Sequence, residues 1–197
     1  MKKNRYFYLF ILSVLFFLQL YLPVWGAVVE GTSAGFVTVA PTADPGGATF
    51  TADTYARAIK DTSPAHAVKV VEIGWYCANA TEAANFEVAI YSHDAGNNRP
   101  LNIVGVSRTN AKGLTAGWKS ATVNIAITEN TTYWIAYQLD DTTTTTNTEY
   151  TTTAGSQVDR KDSQTTLPDP WGSTNLSAGN LYAFYAVYQV SQVIITE

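Results

Sequence analysis

Short runs of alternating apolar and polar residues are the feature that most constrains how this chain can fold. Phe86, Val88 and Ile90 alternate with Glu87 and Ala89, so one side of an extended segment would be apolar. Clusters of Gly, Asn, Asp and Pro separate such runs, and the sequence after residue 27 shows no long amphipathic helical pattern. This pattern is typical of an all-β protein, either an antiparallel β-sandwich or a barrel.

The segment "YWIAYQL", residues 133–139, carries large side chains on both faces of a predicted strand. One face has Tyr133, Ile135, Tyr137 and Leu139, and the other has Trp134, Ala136 and Gln138. A strand with this much apolar bulk on both faces is expected in the centre of a sheet. In "VKVVEIGWYCA", residues 68–78, the alternation changes phase, which predicts a β-bulge near Gly74.

The N-terminus has the order of a secretory signal peptide. Lys2, Lys3 and Arg5 precede an apolar run over residues 6–22, and small residues follow near Ala27. We therefore expect a hydrophobic signal-peptide helix in residues 1–27, a single β-sandwich domain in residues 28–197, and a secreted, extracellular protein. An uncleaved membrane anchor is the alternative, although a run of about 17 residues is near the lower limit for spanning a bilayer.

Charge and cysteine content narrow the classes of partner and compartment. The chain has 12 basic and 16 acidic residues, and cleavage of the leader would remove three basic ones, leaving a net charge of −7. Such a surface disfavours nucleic acid as a partner, and after leader cleavage no membrane span is expected. Cys77 is the only cysteine, so no internal disulfide can form, and we expect it to be buried in a strand.

Ser92, His93 and Asp94 are adjacent in "AIYSHDAGNNRP", residues 89–100, and are the residue types of a hydrolase triad. In an extended segment successive side chains point to opposite faces, so these three could not align one another. The sequence also contains no G-x-S-x-G elbow. We interpret the stretch as a polar corner between two strands and expect a protein that is not an enzyme.

Metal binding is left open by the sequence. No loop has the spacing of a calcium-binding helix–loop–helix, and two histidines with one cysteine barely permit a zinc site. We expect no cofactor. Calcium is the open possibility, because acidic side chains are abundant in the predicted loops. These are Asp94, Asp140, Asp141, Asp159, Asp162 and Asp169. Simple solvation of these carboxylates is the alternative.

Two loops are the candidates for ligand binding, since long polar connections often carry function. The first is the corner at residues 92–100, and the second is the polar stretch of residues 140–180, where Trp171 stands between prolines and glycine and could be exposed. Trp75, Trp118 and Trp134 are better explained as core anchors. The predicted contacts are His93, Asp94, Asn97 and Asn98 from the first loop, and Asp140, Asp141, Tyr150, Asp169 and Trp171 from the second.

Four short elements between residues 73 and 141 occur in a recognisable order. They are Ile90-Tyr91 at the end of a strand, Pro100-Leu101 after a polar turn, Gly117-Trp118, and the strand Thr132 to Ala136. In these elements the chain resembles a loosely defined group of secreted jelly-roll modules. The resemblance implies a jelly-roll sandwich with a non-catalytic role, as in adhesins, phage-like tail proteins and carbohydrate-active assemblies.

The leading hypothesis is therefore adhesion to a glycan or cell-surface polymer through loops at one end of a sandwich. A self-assembling filament or surface-layer subunit is the alternative, because "AVVEGTSAGFVTVAP", residues 27–41, and "VSQVIITE", residues 190–197, are apolar and β-prone. Such terminal segments could be donated to the open sheet edge of a neighbour. Both could equally complete the sheets of their own chain.

Overall fold

The computed structural model describes residues 26–79, 82–140, 146–153, 157–174 and 176–191. All regular secondary structure in these residues is β, which confirms the all-β prediction, and none of them forms a helix that could cross a membrane. The predicted leader falls mostly outside the described residues. The strands are β1 (Gly35–Val37), β2 (Ala48–Thr51), β3 (Ala56–Thr62), β4 (Ala67–Asn79), β5 (Asn85–Asp94), β6 (Arg99–Ala111), β7 (Gly117–Ala126), β8 (Thr132–Leu139), β9 (Asn147–Thr152), β10 (Val158–Lys161), β11 (Leu176–Ala178), β12 (Asn180–Tyr182) and β13 (Phe184–Val190).

The strands form two sheets. The seven-stranded sheet has the order β1–β13–β4–β9–β12, with β7 on the other edge of β4 and β2 beside β9. The six-stranded sheet has the order β11–β10–β3–β8–β5–β6. The named strands pair antiparallel, except that β1 runs parallel to β13.

The two sheets meet face to face around aromatic side chains. Trp75 of β4 stacks on Tyr137 of β8 with ring centroids 4.7 Å apart, and it meets Phe86 of β5 edge-on at 5.9 Å. Phe184 of β13 lies 4.8 Å from Tyr137. Such pairs add to the burial of large apolar surfaces, so the layers are held in the manner of a β-sandwich.

The predicted faces and position of residues 133–139 are confirmed. Tyr133, Ile135, Tyr137 and Leu139 belong to the core between the sheets, while Trp134 and Ala136 lie in a second apolar cluster. This strand, β8, pairs with β3 on one edge and β5 on the other, so it is central in its sheet. Both of its faces are covered, which is why both can carry large apolar side chains.

The phase change in β4 is real, but its bulge lies three residues before Gly74. Glu72 pairs with Val187 and Val70 pairs with Tyr188, so Val71 is the extra residue opposite β13. Gly74 serves the packing instead. A Cβ atom there would lie 2.5 Å from ring atoms of Tyr185, so only glycine leaves room for this side chain on the strand.

A second apolar cluster covers the outer face of the six-stranded sheet. Ala58, Ala136 and Ala89 lie side by side across β3, β8 and β5, which leaves a shallow trough in that face. Leu167 and Trp171, from the connection after β10, fill the trough and are buried. Small side chains on the strands thus create the space that the large loop residues occupy.

Candidate functional site

The connection between β5 and β6 is a tight polar corner organised by Asp94. Its carboxylate accepts hydrogen bonds from the backbone N–H groups of Gly96 (3.1 Å) and Asn97 (3.2 Å), and from the Asn97 side-chain amide (2.8 Å). Arg99 Nε donates to the same carboxylate at 3.2 Å. The Asn97 side chain, followed by the backbone and Arg99, holds the pKa of Asp94 below its ordinary value.

The side chains of Ser92, His93 and Asp94 form hydrogen bonds with three separate sets of partners and not with one another. Ser92 Oγ donates to the carbonyl of Asn102 at 3.3 Å, and His93 Nδ1 accepts the indole N–H of Trp134 at 3.0 Å. Asp94 is engaged in the corner described above. This arrangement agrees with the interpretation of the stretch as a corner rather than a triad.

His93 is held in one tautomer by its indole partner. Because Nδ1 accepts a hydrogen bond from the indole N–H of Trp134, the neutral ring carries its own proton on Nε2, which remains able to donate. Burial, with a smaller contribution from the charge of Lys60, lowers the pKa of His93. The imidazole is therefore neutral at neutral pH.

Beside His93, three side chains from distant parts of the chain are joined by hydrogen bonds. Lys60 Nζ of β3 donates to Asn98 Oδ1 at 2.9 Å and also to Gln157 Oε1, and Asn98 Nδ2 donates to the same Gln157 oxygen. All three are half-buried. We call Lys60, His93, Asn98 and Gln157 the corner cluster.

The corner cluster contains two residues that the sequence did not predict. Lys60 follows Ala56 and Ala58 at alternate positions of β3, so the period-two pattern was a usable signal for its outward face. Gln157 immediately precedes β10 and carries no comparable signal. An open depression of about 550 Å³ adjoins the cluster, and it is lined by Ser92, His93, Val104 and residues 130–133.

The expectation that Trp171 is exposed is wrong. Its side chain is 0 % exposed, its Nε1–H donates to Asp159 Oδ1 at 2.9 Å, and its ring meets Tyr91 edge-on at 5.1 Å. Its backbone N–H donates to the carbonyl of Leu101 at 2.8 Å. Since the ring is enclosed in the alanine trough, its face is not available to stack on a sugar in this structure.

The rest of this connection is also tied down on the six-stranded sheet. Asp169 is exposed, but its Oδ1 accepts the backbone N–H of Ile103 at 3.1 Å. Buried Glu87 accepts bonds from Arg108 Nη1 (2.6 Å), Thr166 Oγ1 (2.7 Å) and the backbone N–H of Leu167 (2.9 Å). We call residues 162–174 the covering loop, because they close the outer face of the sheet.

The remaining predicted contacts do not join the corner cluster. Tyr150 packs with Phe50 and Tyr182, at centroid distances of 5.5 and 6.2 Å, in an aromatic group beside Arg57. Arg57 and Lys60 lie on opposite faces of β3, so the prediction that Tyr150 shares a site with Asn98 is wrong. Asp140 is half-buried, and desolvation raises its pKa. Asp141 lies outside the described residues.

The described residues contain no group of three or more His, Cys, Asp or Glu side chains placed to hold a metal ion. Asp159, one of the predicted loop carboxylates, is buried and engaged by Trp171 and Thr174. Desolvation by this burial raises its pKa. Calcium binding by the acidic loop residues stays a prediction.

No protein-family model matches this chain, and no curated protein matches it.

The corner cluster is the arrangement of described side chains that best combines partial exposure with several converging donors and acceptors. It offers an ammonium group, two amides and one imidazole N–H as hydrogen-bonding groups.

Proposed function

We propose that this protein is an exported, non-catalytic β-sandwich module of the jelly-roll type, which binds a glycan or cell-surface polymer through the corner cluster. The observation that carries the proposal is the bonded set of Lys60, Asn98 and Gln157 beside His93 at a half-exposed corner. A preformed set of polar groups on a rigid sandwich reduces the ordering cost of binding.

The strand order supports the jelly-roll connectivity. In an eight-stranded jelly roll, which is built from two Greek keys, the strands pair in the orders 1-8-3-6 and 2-7-4-5. If β1, β3, β4, β5, β6, β7, β8 and β13 are numbered one to eight, the sheets contain β1–β13–β4–β7 and β3–β8–β5–β6, which are these two orders. The parallel pairing of β1 with β13 departs from an all-antiparallel arrangement.

The four elements that carry the resemblance to secreted jelly-roll modules fall on neighbouring strands. Ile90-Tyr91 lies in β5, Pro100-Leu101 in β6, Gly117-Trp118 at the start of β7, and Thr132 to Ala136 in β8. Together with the predicted leader and the net charge of −7 after its cleavage, they support an exported module that acts outside the cell.

Sugar hydroxyls both donate and accept hydrogen bonds, and the corner cluster contains both donors and acceptors. Lys60 and His93 Nε2–H donate, while each amide of Asn98 and Gln157 can donate and accept. The cluster already holds these groups in fixed positions through mutual bonds, which limits the entropy lost when a ligand is bound. A ligand hydroxyl could replace one of these internal bonds without leaving a partner unsatisfied.

The test is a glycan array with the wild-type protein and two matched glycine variants. Asn98 has a φ of 51°, so Asn98→Gly removes the amide without backbone strain. Ser163→Gly is the control, because Ser163 also has a positive φ of 56° and is exposed in the covering loop. We expect Ser163→Gly to keep the wild-type pattern and Asn98→Gly to lose about tenfold or more in affinity. Equal binding by both variants, or an array on which the wild type binds nothing, would remove the proposal.

Self-assembly is retained as a second candidate because of one observation at the edge of the seven-stranded sheet. In the described part of the chain, β1 pairs only with Tyr185–Val187, so the last residues of β13 pair with β4 alone. Val190 and nearby Val39 are 52 % and 74 % exposed there. Against this, Gly35–Val37 already completes a sheet of its own chain, and residues 192–197 lie outside the described residues.

Light scattering over a dilution series separates the candidates, because a monomer at all concentrations rules assembly out under those conditions.

A further inference from the structure

Two groups that can only donate hydrogen bonds fix the orientation of the side chains in the corner cluster. Lys60 Nζ donates to Asn98 Oδ1 at 2.9 Å and to Gln157 Oε1. The indole N–H of Trp134 donates to His93 Nδ1 at 3.0 Å. An ammonium and an indole have no acceptor atom, so both amide oxygens must face the ammonium, and the unprotonated nitrogen of the imidazole must face the indole.

These contacts occupy most of the acceptor atoms of the cluster and leave many of its donors unused. Gln157 Oε1 accepts twice, because Asn98 Nδ2 also donates to it. Among the hydrogen bonds between described residues, the third N–H of Lys60, the second amide N–H of Asn98, the Gln157 amide N–H groups and His93 Nε2–H have no acceptor. The hydrogen-bonding capacity that remains for a ligand is therefore mainly that of donors.

The cluster also carries a positive charge that no carboxylate contacts. None of the ion pairs between described residues includes Lys60, whose two acceptors are neutral amides. Asp94, in the same corner, is paired with Arg99 at 3.2 Å. Asp159 of β10 is buried beneath the covering loop, and Asp61 lies on the opposite face of β3. The charge of the ammonium therefore stays available to a ligand.

The open depression of about 550 Å³ lies beside these donors, since His93 belongs both to its lining and to the cluster. Small-ligand sites commonly have volumes of about 300–1,000 Å³, so the depression has room for a ligand group. Its other lining residues are Ser92, Val104 and residues 130–133, none of which is Asp or Glu. A negatively charged group in the depression would therefore meet donors and the nearby ammonium, but no carboxylate from this lining.

We propose that the corner cluster selects an acidic polysaccharide, whose carboxylate or sulfate group accepts hydrogen bonds from Lys60 and the neighbouring amide N–H groups. The inference rests on the proposed glycan-binding function and names the class of glycan. A carboxylate or sulfate only accepts hydrogen bonds, so it matches a site whose unused groups are donors. A neutral hydroxyl must also place its own hydrogen on an acceptor, and most acceptors of the cluster are already occupied.

The net charge of the whole protein acts against an anionic ligand only at long range. The charge of −7 expected after leader cleavage repels a polyanion, but physiological salt screens exposed charges that lie more than about 8 Å away. Selection at the corner therefore depends on the local charge of Lys60 and on the donors beside it.

Isothermal titration calorimetry with two matched pairs of probes tests the inference. The pairs are tetragalacturonate with its methyl ester, and dextran sulfate with dextran, so that each pair shares a sugar backbone and only one member is charged. We expect the wild type to bind at least one charged probe about tenfold or more tightly than its neutral counterpart. The pair that shows this difference identifies the recognised group as a carboxylate or a sulfate. Raising the salt from about 50 to about 500 mM should weaken the charged probe and leave the neutral one unchanged.

The decisive variant is Lys60→Met, which removes the ammonium, keeps a side chain of similar length and frees the amide oxygens of Asn98 and Gln157. We expect the preference for the charged probe to fall to within about twofold, while binding of the neutral probe is kept or strengthened. The matched control is Lys119→Met, which removes the same charge from a half-buried lysine of β7 in the other sheet. This control should keep the wild-type preference, and thermal unfolding checks that both variants are folded.

The outcomes separate this inference from the proposed glycan-binding function. A wild type that binds neither charged probe more tightly than its neutral counterpart overturns the inference, as does a preference that survives Lys60→Met. If neutral glycans are then still bound and Asn98→Gly weakens them, glycan binding through the corner cluster stands without a preference for acidic sugars. A wild type that binds no probe and no glycan of the array removes both proposals.

Discussion

The two polar connections that the sequence offers as binding loops behave in opposite ways. The corner between β5 and β6 keeps the amides of Asn98 and Gln157 half-exposed and bonded to each other, beside the half-exposed imidazole of His93. The covering loop instead turns inward and buries Trp171 on the outer face of the six-stranded sheet. The difference does not come from the loops alone, because it depends on what the neighbouring strands present. A strand face made of alanines accepts large side chains, whereas a face ending in Lys60 and His93 leaves polar groups at the surface.

Trp171→Ala is the change with the largest expected effect on this comparison. Removal of a fully buried indole from the trough should lower the free energy of unfolding by about 3–5 kcal/mol, because a cavity and an unpartnered Asp159 oxygen remain. Denaturant unfolding measures the change. A loss below about 1 kcal/mol would mean that the loop does not cover the sheet in solution.

A larger side chain on the strand at the floor of the trough should produce the next largest loss of stability. Ala136→Leu places a larger side chain where β8 lies between Ala58 and Ala89, and it should cost about 1–3 kcal/mol by displacing the covering loop. The matched control is Ala126→Leu, at an exposed position of β7, which should change stability by less than about 0.5 kcal/mol. Similar effects of the two substitutions in thermal unfolding would remove the distinction between a trough and an open surface.

Asn98→Gly should affect stability far less than either change in the trough. The lost bonds to Lys60 and Gln157 are half-exposed and water can replace them, so the expected cost is below about 1 kcal/mol. Denaturant unfolding of this variant and of Trp171→Ala under the same conditions compares the two losses in the free energy of unfolding. A loss as large as that of Trp171→Ala would show that the corner is a structural element like the covering loop.

The smallest expected effect is the pH response of His93. Because its folded pKa is lowered by burial, the unfolded state takes up a proton first, and a small part of the stability is lost as the pH falls below about 6.5. Protonation of Nδ1 would also remove the acceptor for the Trp134 indole. A titration of the imidazole followed by nuclear magnetic resonance measures the pKa of His93. A pKa at or above the ordinary one would contradict the described contact.

Much of the fold follows from local alternation. The two faces of β8 and the apolar face of β5 were predictable because strand side chains alternate strictly, and the corner was predictable from its run of Asp, Gly and Asn. The bulge in β4 was predicted three residues from its actual position at Val71, since a phase change marks the region but not the extra residue.

The site was predicted less well because its contacts join distant segments. The burial of Trp171 depends on alanines in three strands that only the sheet brings together. Gln157 lies 59 positions from Asn98 and has no motif of its own. Tyr150 shares the long connection with Trp171 in sequence, but it belongs to the other sheet, so closeness along the chain misled the grouping.

Titration of the isotope-labelled protein with the best ligand from the array, followed by nuclear magnetic resonance, tests the central claim most directly. The two indole N–H signals serve as reporters, because Trp134 donates to His93 in the corner cluster and Trp171 donates to Asp159 beneath the covering loop. We expect the Trp134 indole and the side-chain amides of Asn98 and Gln157 to shift, while the Trp171 indole stays unchanged. A shift of the Trp171 signal with no change at Asn98 and Gln157 would contradict the account.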